Sequence, residues 1–258
     1  MARDGVDHVD GRAVLVTGAG RGIGAAVAQA FAAAGDRVAV HYGRSARPAA
    51  DVLAGLPGGG HLMLQADLAD PDAVRRMVDQ AAEALGGLDV LVNNAGVYAA
   101  QPVTEGTYED WQAAWQDTLA VNLTAAANAT WCAVRHMIAA GGGRIINVSS
   151  RGAFRGEPDH PAYAASKAGL NALGQSLARA LGSHGIAVTT VAPGFVATDM
   201  AAGSLAGAGG DEIRGQSPFG RVASAGEIAA AVLYLASADA EWASGAILDL
   251  NGASYLRT

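Results

Sequence analysis

The stretch TGAGRGIG, residues 17–24, decides how this chain folds. Ahead of it, RAVLV is typical of a buried strand, and after it GAAVAQAFAAAG is typical of a helix that ends at Gly35. Glycines at positions 18, 22 and 24 allow a tight turn, and the helix directs free N–H groups and a positive dipole end at an anion. The spacing G-x-x-x-G-x-G differs from the common G-x-G-x-x-G fingerprint. The stretch therefore favours a pyrophosphate site, with an ordinary glycine turn as the alternative.

Strand and helix patterns alternate along the rest of the chain. The strand patterns are RVAVHY, HLMLQAD, LDVLVNNAG, GRIINVSS, GIAVTTVAPG and AILDLNG. They are short and apolar on both faces, which suits a buried parallel sheet. The alternation predicts an α/β chain: a single-domain, doubly wound Rossmann fold over residues 11–258, with a central parallel sheet flanked by helices and a flexible tail at 1–10. Residues 200–218 are poorly periodic and predict a loop, either a substrate lid or a plain linker.

Composition excludes several classes of protein. The 258 residues are 51% hydrophobic, which is ample for a core, and the net charge of −7 argues against nucleic-acid binding. No apolar run approaches the roughly 20 residues that span a bilayer, and the polar N-terminus is not a secretory signal. Cys132 is the only cysteine, so we expect a cytoplasmic protein without an internal disulfide. No metal site is predicted.

The end of the second strand bears on the choice of dinucleotide. An acidic side chain there would accept from a ribose 2′-OH, but HYGRS, residues 41–45, places Tyr42 at that point. Arg44 and Ser45 follow, and Arg21 lies in the glycine turn, so two guanidiniums and a hydroxyl are available for a 2′-phosphate. We expect NADP(H) to be favoured over NAD(H), unless Arg44 is only a solvated charge.

Further polar residues follow the third and fourth strands. Asp67 is a candidate acceptor for an adenine amine. In NNAG, residues 93–96, the asparagines either tie neighbouring strands together or face a ribose.

Tyr163 and Lys167, in YAASK, share one helix face at positions i and i+4. A nearby ammonium and the start of a helix both favour a phenolate, so we expect a lowered Tyr163 pKa and a phenol able to exchange a proton with a carbonyl or alcohol oxygen. Ser150 ends a strand, facing the ligand crevice, where it is placed to hold the same oxygen.

Taken together, TGAGRGIG, NNAG, Asn122 in AVNLTAA, Ser150, YAASK and PGFVATDM resemble the short-chain dehydrogenase/reductase family, over about residues 11–252. The resemblance implies that Tyr163 is the general acid/base, that Lys167 lowers its pKa and binds ribose, that Ser150 orients the substrate carbonyl and that Asn122 holds a relay water. It implies cofactor contacts from Gly18, Arg21, Gly22, Ile23, Gly24, Tyr42, Arg44, Ser45, Asp67, Leu68, Asn94, Ala95, Gly96, Tyr163, Lys167, Pro193, Gly194, Val196 and Thr198. Ser150, Phe154 and Tyr163 are the candidate substrate contacts.

The substrate stays open. PFGRVASAGEIAAAVLYLAS is similar to 3-oxoacyl-carrier-protein reductases, but His184 stands where those reductases usually carry a carrier-docking arginine. Residues 151–161 line the substrate pocket in this family; there Arg151 or Arg155 is a candidate for binding an anionic group, with a solvated loop as the alternative. The resemblance also implies a homotetramer. The remaining alternatives are an NAD-dependent sugar, polyol or steroid dehydrogenase, and a non-enzymatic NADP(H) sensor.

Overall fold

The structure, a computed structural model, describes residues 11–206 and 208–257. A seven-stranded parallel sheet forms its centre. Its strands are β1 (Ala13–Val16), β2 (Arg37–Tyr42), β3 (Leu62–Gln65), β4 (Val90–Asn93), β5 (Gly143–Val148), β6 (Ile186–Pro193) and β9 (Ile247–Leu250), and the short strands β7 (Val196–Ala197) and β8 (Ala223–Ser224) pair separately. The order β3-β2-β1-β4-β5-β6-β9 confirms the doubly wound fold. The expected tail, residues 1–10, lies outside the described residues.

The strand order creates a crevice beside β1. Val14 pairs with Val38 of β2 on one side and with Val90 of β4 on the other. The chain moves outward through β2 and β3, and then returns to build the other half from β4 onward. Connections therefore diverge at the carboxyl ends of β1 and β4, which is where open α/β sheets bind their ligands.

Helices cover both faces of the sheet. They are α1 (Gly22–Ala33), α2 (Ala46–Ala54), α3 (Pro71–Leu85), α4 (Tyr108–Leu119), α5 (Ala125–Ala140), α6 (Gly152–Arg155), α7 (Pro161–Leu181), α8 (Asp199–Leu205), α9 (Ala208–Gly215) and α10 (Ala225–Leu235). Val14 and Val16 join the core formed with α1 and α10. Ala13 and Leu15, which alternate with them along β1, lie on the opposite face of the sheet and join a second core with α3 and α5. This alternation explains why the strand sequences are apolar throughout.

Local signals set several helix ends. Asp70 caps α3 by accepting from the Asp72 N–H at 2.9 Å, and Pro71 occupies the first turn, where no N–H is needed. The predicted capping box is also present, because the Ser224 hydroxyl accepts from the Glu227 N–H at 3.3 Å and the Glu227 carboxylate accepts from the Ser224 N–H at 2.8 Å.

The predicted loop over residues 200–218 is wrong as secondary structure, since most of α8 and all of α9 fall within it. Asp199 and Asp211 lie in the first turns of these helices, where negative charge is favourable, and Arg214 pairs with Asp211 at 2.8 Å. Alanine and glycine hide the apolar periodicity that would have revealed them. Within the described ranges, no helix is long and apolar enough to cross a membrane, and no cluster of His, Cys, Asp or Glu is arranged to hold a metal ion.

Candidate active site

The glycine turn after β1 is shaped for close approach. Gly18 and Gly22 have φ values of 64° and 56°, a region that strains residues with a Cβ. At Gly24, a Cβ would lie 2.4 Å from the Gly18 carbonyl oxygen and 2.5 Å from Asn94 Nδ2. The turn therefore leaves room only for backbone beside the start of α1. These residues fit the pyrophosphate of a dinucleotide, which needs free N–H groups and no side chain in the way.

A buried histidine, which sequence reasoning missed, braces this turn. His41 is 2% exposed; its Nδ1 accepts from the Gly18 N–H at 3.0 Å, and its Nε2 lies 3.2 Å from the Ala66 carbonyl oxygen. The geometry requires the neutral tautomer with the proton on Nε2. Burial lowers the pKa of His41, although the bond to Ala66 opposes the shift. The ring thus ties β2 and the segment after β3 to the glycine turn.

The side chains of Asn93 and Asn94 in NNAG hydrogen-bond to neighbouring segments of the sheet. Asn94 Nδ2 donates to the carbonyl oxygens of Thr17 at 2.8 Å and Gly18 at 3.2 Å. Asn93 Nδ2 donates to Asn147 Oδ1 at 3.0 Å and so ties β4 to β5. All three bonds support the strand-tying alternative, although Asn94 also lines the cavity beside the turn.

The far end of the crevice is rich in donors. The cavity there is lined by Tyr42, Arg44, Ser45, Asp67 and Leu68 from the segments after β2 and β3, and by Arg21 and Ile23 from the glycine turn. Asp67 Oδ1 accepts from the Ala69 N–H at 2.9 Å, so one oxygen holds its own turn. Ser45 precedes α2 without capping it through its side chain, which leaves its hydroxyl available. The sequence signals did not reveal α2 itself.

Three of the four catalytic candidates, Ser150, Tyr163 and Lys167, meet at the other end. Tyr163 is the third residue of α7, and Lys167 lies one turn further, with Nζ 5.7 Å from the Tyr163 ring centroid. Ser150, at the end of β5, hydrogen-bonds the Tyr163 side chain. The Ser150 hydroxyl also accepts from the Gly152 N–H at 3.0 Å, which fixes its position.

The expected lowering of the Tyr163 pKa is wrong for the protein as described. Burial raises the pKa of Tyr163 to about 12; the bond from Ser150 lowers it and the carboxylate of Glu157 raises it. Lys167 does not compensate, because its Nζ donates to the Val148 carbonyl oxygen at 2.8 Å and burial lowers its own pKa to about 8. Desolvation outweighs the charge effect, so Tyr163 is a protonated phenol at neutral pH.

Asn122 lies in a π-helical turn, Ala120–Thr124, between α4 and α5. Its Oδ1 accepts from the Val97 N–H at 2.8 Å, and its Nδ2 donates to the Val97 carbonyl at 3.0 Å and to Ser166 Oγ at 3.2 Å. A single π turn inside a long helix is a frequent feature of functional sites. Here the π turn places the Asn122 side-chain amide so that it bonds both Val97, in the segment after β4, and Ser166 of α7.

The remaining predicted contacts come from the end of β6. Pro193, Gly194, Val196 and Thr198 all line the cavity. A Cβ on Gly22 would lie 3.3 Å from Thr198 Cγ2, so this segment reaches across to the glycine turn.

One cavity of about 1030 Å³ joins both ends of the site. All the predicted cofactor contacts line it, as do Ser150, Tyr163 and Lys167, whereas Asn122 lies behind its wall in a small neighbouring void. Phe154 does not line it, because the ring packs under the guanidinium of Arg257, 4.3 Å from Cζ to the ring centroid. The substrate contact expected from Phe154 is therefore not supported.

Several lining residues were not identified from the sequence: His41, Val97, Tyr98, Ser149, Glu157, Phe195 and Met200. Tyr98 stacks on His160 with ring centroids 3.7 Å apart and meets Tyr163 edge-on at 4.7 Å. It thus forms the wall against the catalytic phenol. No local motif marks it, since only tertiary packing brings these three rings together.

Comparison with known proteins agrees with this geometry. The short chain dehydrogenase family profile matches residues 12–208. The chain is 38% identical to D-threitol dehydrogenase of Mycolicibacterium smegmatis over 95% of this chain and 93% of that protein. It is 40% identical to cis-4-hydroxycyclohexanecarboxylate dehydrogenase of Sinomonas cyclohexanicum, over 93% and 95%. It is 37% identical to 3-oxoacyl-(acyl-carrier-protein) reductase FabG of Escherichia coli K12, over 96% and 99%.

A solved structure shows the same architecture. The crystal structure of a short-chain dehydrogenase from Burkholderia cenocepacia J2315 in complex with NADP superimposes with a TM-score of 0.87 at 40% identity, covering 96% of this chain and 99% of that one. Fold and site together define a nucleotide-binding oxidoreductase. The chain belongs to the short-chain dehydrogenase/reductase family, and it is an enzyme that acts on alcohol or ketone substrates.

Proposed function

We propose that the protein interconverts a ketone and a secondary alcohol with NADP(H), using Tyr163 as the general acid/base. One observation carries the proposal: Ser150, Tyr163 and Lys167 line the same cavity as the glycine turn. A dinucleotide held on the turn would supply or accept the hydride.

The phenol is suited to start carbonyl reduction as an acid. With a pKa of about 12, Tyr163 carries its proton at neutral pH and can give it to the substrate oxygen as that oxygen gains negative charge. The Ser150 hydroxyl, whose oxygen accepts from the Gly152 N–H, lines the cavity beside Tyr163 and can turn its proton from the phenol to the same substrate oxygen. In oxidation the phenolate must form first, and the buried ammonium of Lys167 is the nearby charge that favours it.

The reaction is tested by replacing the phenol. Tyr163→Phe should lower kcat by about 10²–10⁴-fold, the usual contribution of a positioned acid/base, while the Kd for NADPH stays within about threefold. The panel contains D-threitol and its ketose, 4-oxocyclohexanecarboxylate and a 3-oxoacyl thioester, which reflect the substrates named for the relatives. Tyr234→Phe, at an exposed tyrosine, is the matched control. A Tyr163→Phe enzyme retaining more than a tenth of the activity would refute the role.

The preference for NADP(H) rests on the charge at the end of β2. Arg21 and Arg44 are exposed and line the cavity, and neither has an ion-pair partner within residues 11–206 and 208–257. No carboxylate stands at the end of β2, where Tyr42 is found. A 2′-phosphate would meet these two cations with no carboxylate at the end of β2 to oppose them; Asp67, which also lines the cavity, follows β3.

This preference can be tested with adenosine fragments. Arg44→Ala should weaken binding of 2′,5′-ADP by at least tenfold, about 1.4 kcal/mol, and change the Kd of 5′-AMP by less than twofold. Arg47→Ala is the control, since Arg47 is exposed on α2 but does not line the cavity. An equal loss for both fragments would contradict the assignment.

A homotetramer is also part of the proposal. Trp131 and Ile138 on α5 are 58% and 42% exposed, which leaves apolar surface on this helix for another subunit to cover. Light scattering should give four times the chain mass of 25.8 kDa. A monomer at micromolar concentration would contradict it.

A further inference from the structure

Directly after Ser150, a guanidinium is buried among neutral groups. Arg151 is 3% exposed, its Nη1 donates to Ser254 Oγ, and its Nη2 donates to Gln216 Oε1 at 2.5 Å. Its Cζ lies 5.2 Å from the Phe195 ring centroid. Across the part of the chain that the structure describes, no carboxylate forms an ion pair with it.

A charge in this position is costly. An ion removed from water without an opposite charge loses solvation that neutral hydrogen bonds only partly replace. Burial accordingly lowers the pKa of Arg151, and the like charge of Arg155 lowers it further, while the carboxylate of Glu157 opposes both. Glu157 Oε1 lies 4.0 Å from Arg155 Nε, so this carboxylate pairs with Arg155 and not with Arg151. Glu157 and Asp159 offset the two arginines in the net charge of residues 151–161, but within the described residues neither forms an ion pair with Arg151.

Arg151 lies at the wall of the catalytic cavity. Glu157 also lines it, whereas Arg155 does not. Tyr98 and Phe195 also line it and offer aromatic walls for an apolar substrate body. The cavity thus presents an oxygen-binding end at Ser150 and Tyr163, aromatic walls and a cation.

We propose that Arg151 binds a carboxylate on the substrate, so that the enzyme acts on hydroxy acids and oxo acids whose alcohol or ketone carbon is separate from the acid group. The inference rests on the proposed function of the same site. A guanidinium matches a carboxylate through two parallel N–H bonds. A carboxylate on the substrate would supply the ion-pair partner that Arg151 lacks among the described residues.

The alternative is that Arg151 only tethers the C-terminal segment through Ser254. A tether would affect every substrate alike, whereas a carboxylate site affects only acids. We would therefore measure kcat/KM for 4-oxocyclohexanecarboxylate and for its carboxamide, which has nearly the same shape without the charge. Wild-type protein should prefer the acid at least tenfold. Arg151→Gln should lower the acid-to-amide ratio at least tenfold, mainly through KM.

Two controls separate charge from structure. Arg155→Gln removes a neighbouring cation that does not line the cavity, and it should change the ratio by less than threefold. Ser254→Ala removes one tether partner without changing charge, and it should likewise leave the ratio unchanged. Thermal unfolding of each variant checks that the fold persists. A ratio near one in the wild type, or an equal loss for acid and amide in Arg151→Gln, would overturn the inference.

Binding provides a readout that does not need turnover. Calorimetry with NADP⁺-loaded protein and a series of cyclic and linear carboxylates should show at least one acid binding tenfold tighter than its amide, and Arg151→Gln should abolish the difference. If no acid does so, the inference is wrong, whatever the turnover data show. If neutral ketones are reduced as well as acids, the proposed function holds and the carboxylate site at Arg151 is wrong. If acids bind but Tyr163→Phe leaves their turnover unchanged, the proposed function fails instead.

Discussion

Replacing His41 with leucine tests whether the buried imidazole holds the glycine turn. The substitution keeps the volume roughly constant and leaves the Gly18 N–H and the Ala66 carbonyl without their partners. An unsatisfied buried polar group costs about 1–3 kcal/mol, so the loss of both bonds should lower the free energy of unfolding by about 2–6 kcal/mol. The Kd for NADPH should rise as well, because Gly18 belongs to the turn that holds the dinucleotide. Urea denaturation and fluorescence titration measure the two effects.

The control is His184→Leu, at an exposed histidine on the surface of the same protein. It should change stability by less than about 0.5 kcal/mol, as is usual for surface sites. The reasoning is refuted if His41→Leu is as stable as this control and binds NADPH equally well. In that case the two hydrogen bonds contribute nothing beyond packing.

The same side chain predicts a pH dependence. The folded pKa of His41 lies below its unfolded value, so its contribution to stability is complete above about pH 6.5 and is lost as the pH falls. Between pH 7.5 and 5, wild-type stability should therefore decline more steeply than that of His41→Leu, by at most about 1.4 kcal/mol per pH unit for one proton. Parallel pH profiles would contradict the neutral, buried imidazole.

Three further predictions concern the cavity. Gly24→Ala should raise the Kd for NADPH at least tenfold, because the new Cβ would lie 2.4 Å from the Gly18 carbonyl oxygen. The control Gly182→Ala, which has open space around it, should leave the Kd unchanged. Equal Kd values for the two variants would show that the glycine turn can shift to accommodate the methyl group. Asn122→Ala breaks both bonds to Val97, so unfolding should become easier by about 1–3 kcal/mol and kcat should fall; unchanged stability would rule out the bracing role. The folded pKa of Lys167 is about 8, below the unfolded value of 10.5, so burying the ammonium lowers stability at low pH and this penalty fades as the pH rises above 8. Relative to Lys167→Met, the free energy of unfolding of the wild type should therefore rise from pH 7.5 to 9.5. A difference that does not change with pH would exclude the depressed pKa.

The sequence was sufficient for the architecture because its signals are local. Strands that are apolar on both faces indicate a buried parallel sheet, and Asp70 followed by Pro71 marks the start of α3 without any tertiary information. The helices α8 and α9 were missed because they lack such a local signal: their alanines and glycines form no apolar stripe. Only the spacing of Asp211 and Arg214, which pair at i and i+3, indicates α9.

The sequence predicted which residues of the candidate site lie together, but not their electrostatics. The spacing of Tyr163 and Lys167 places both on one helix face, but no spacing reveals how deeply they are buried or that Lys167 turns toward the Val148 carbonyl. Burial decides the pKa of both groups, and burial is a property of the whole fold. His41 and Tyr98 were missed because their partners come from distant segments.

The most direct test of this account is a fluorescence titration of the purified protein with NADPH and, separately, with NADH. The account predicts saturable binding of both at one site, with NADPH at least tenfold tighter, a difference of about 1.4 kcal/mol. Equal or tighter binding of NADH would contradict the roles given to Arg21 and Arg44. Binding of neither would contradict the assignment of the cavity itself.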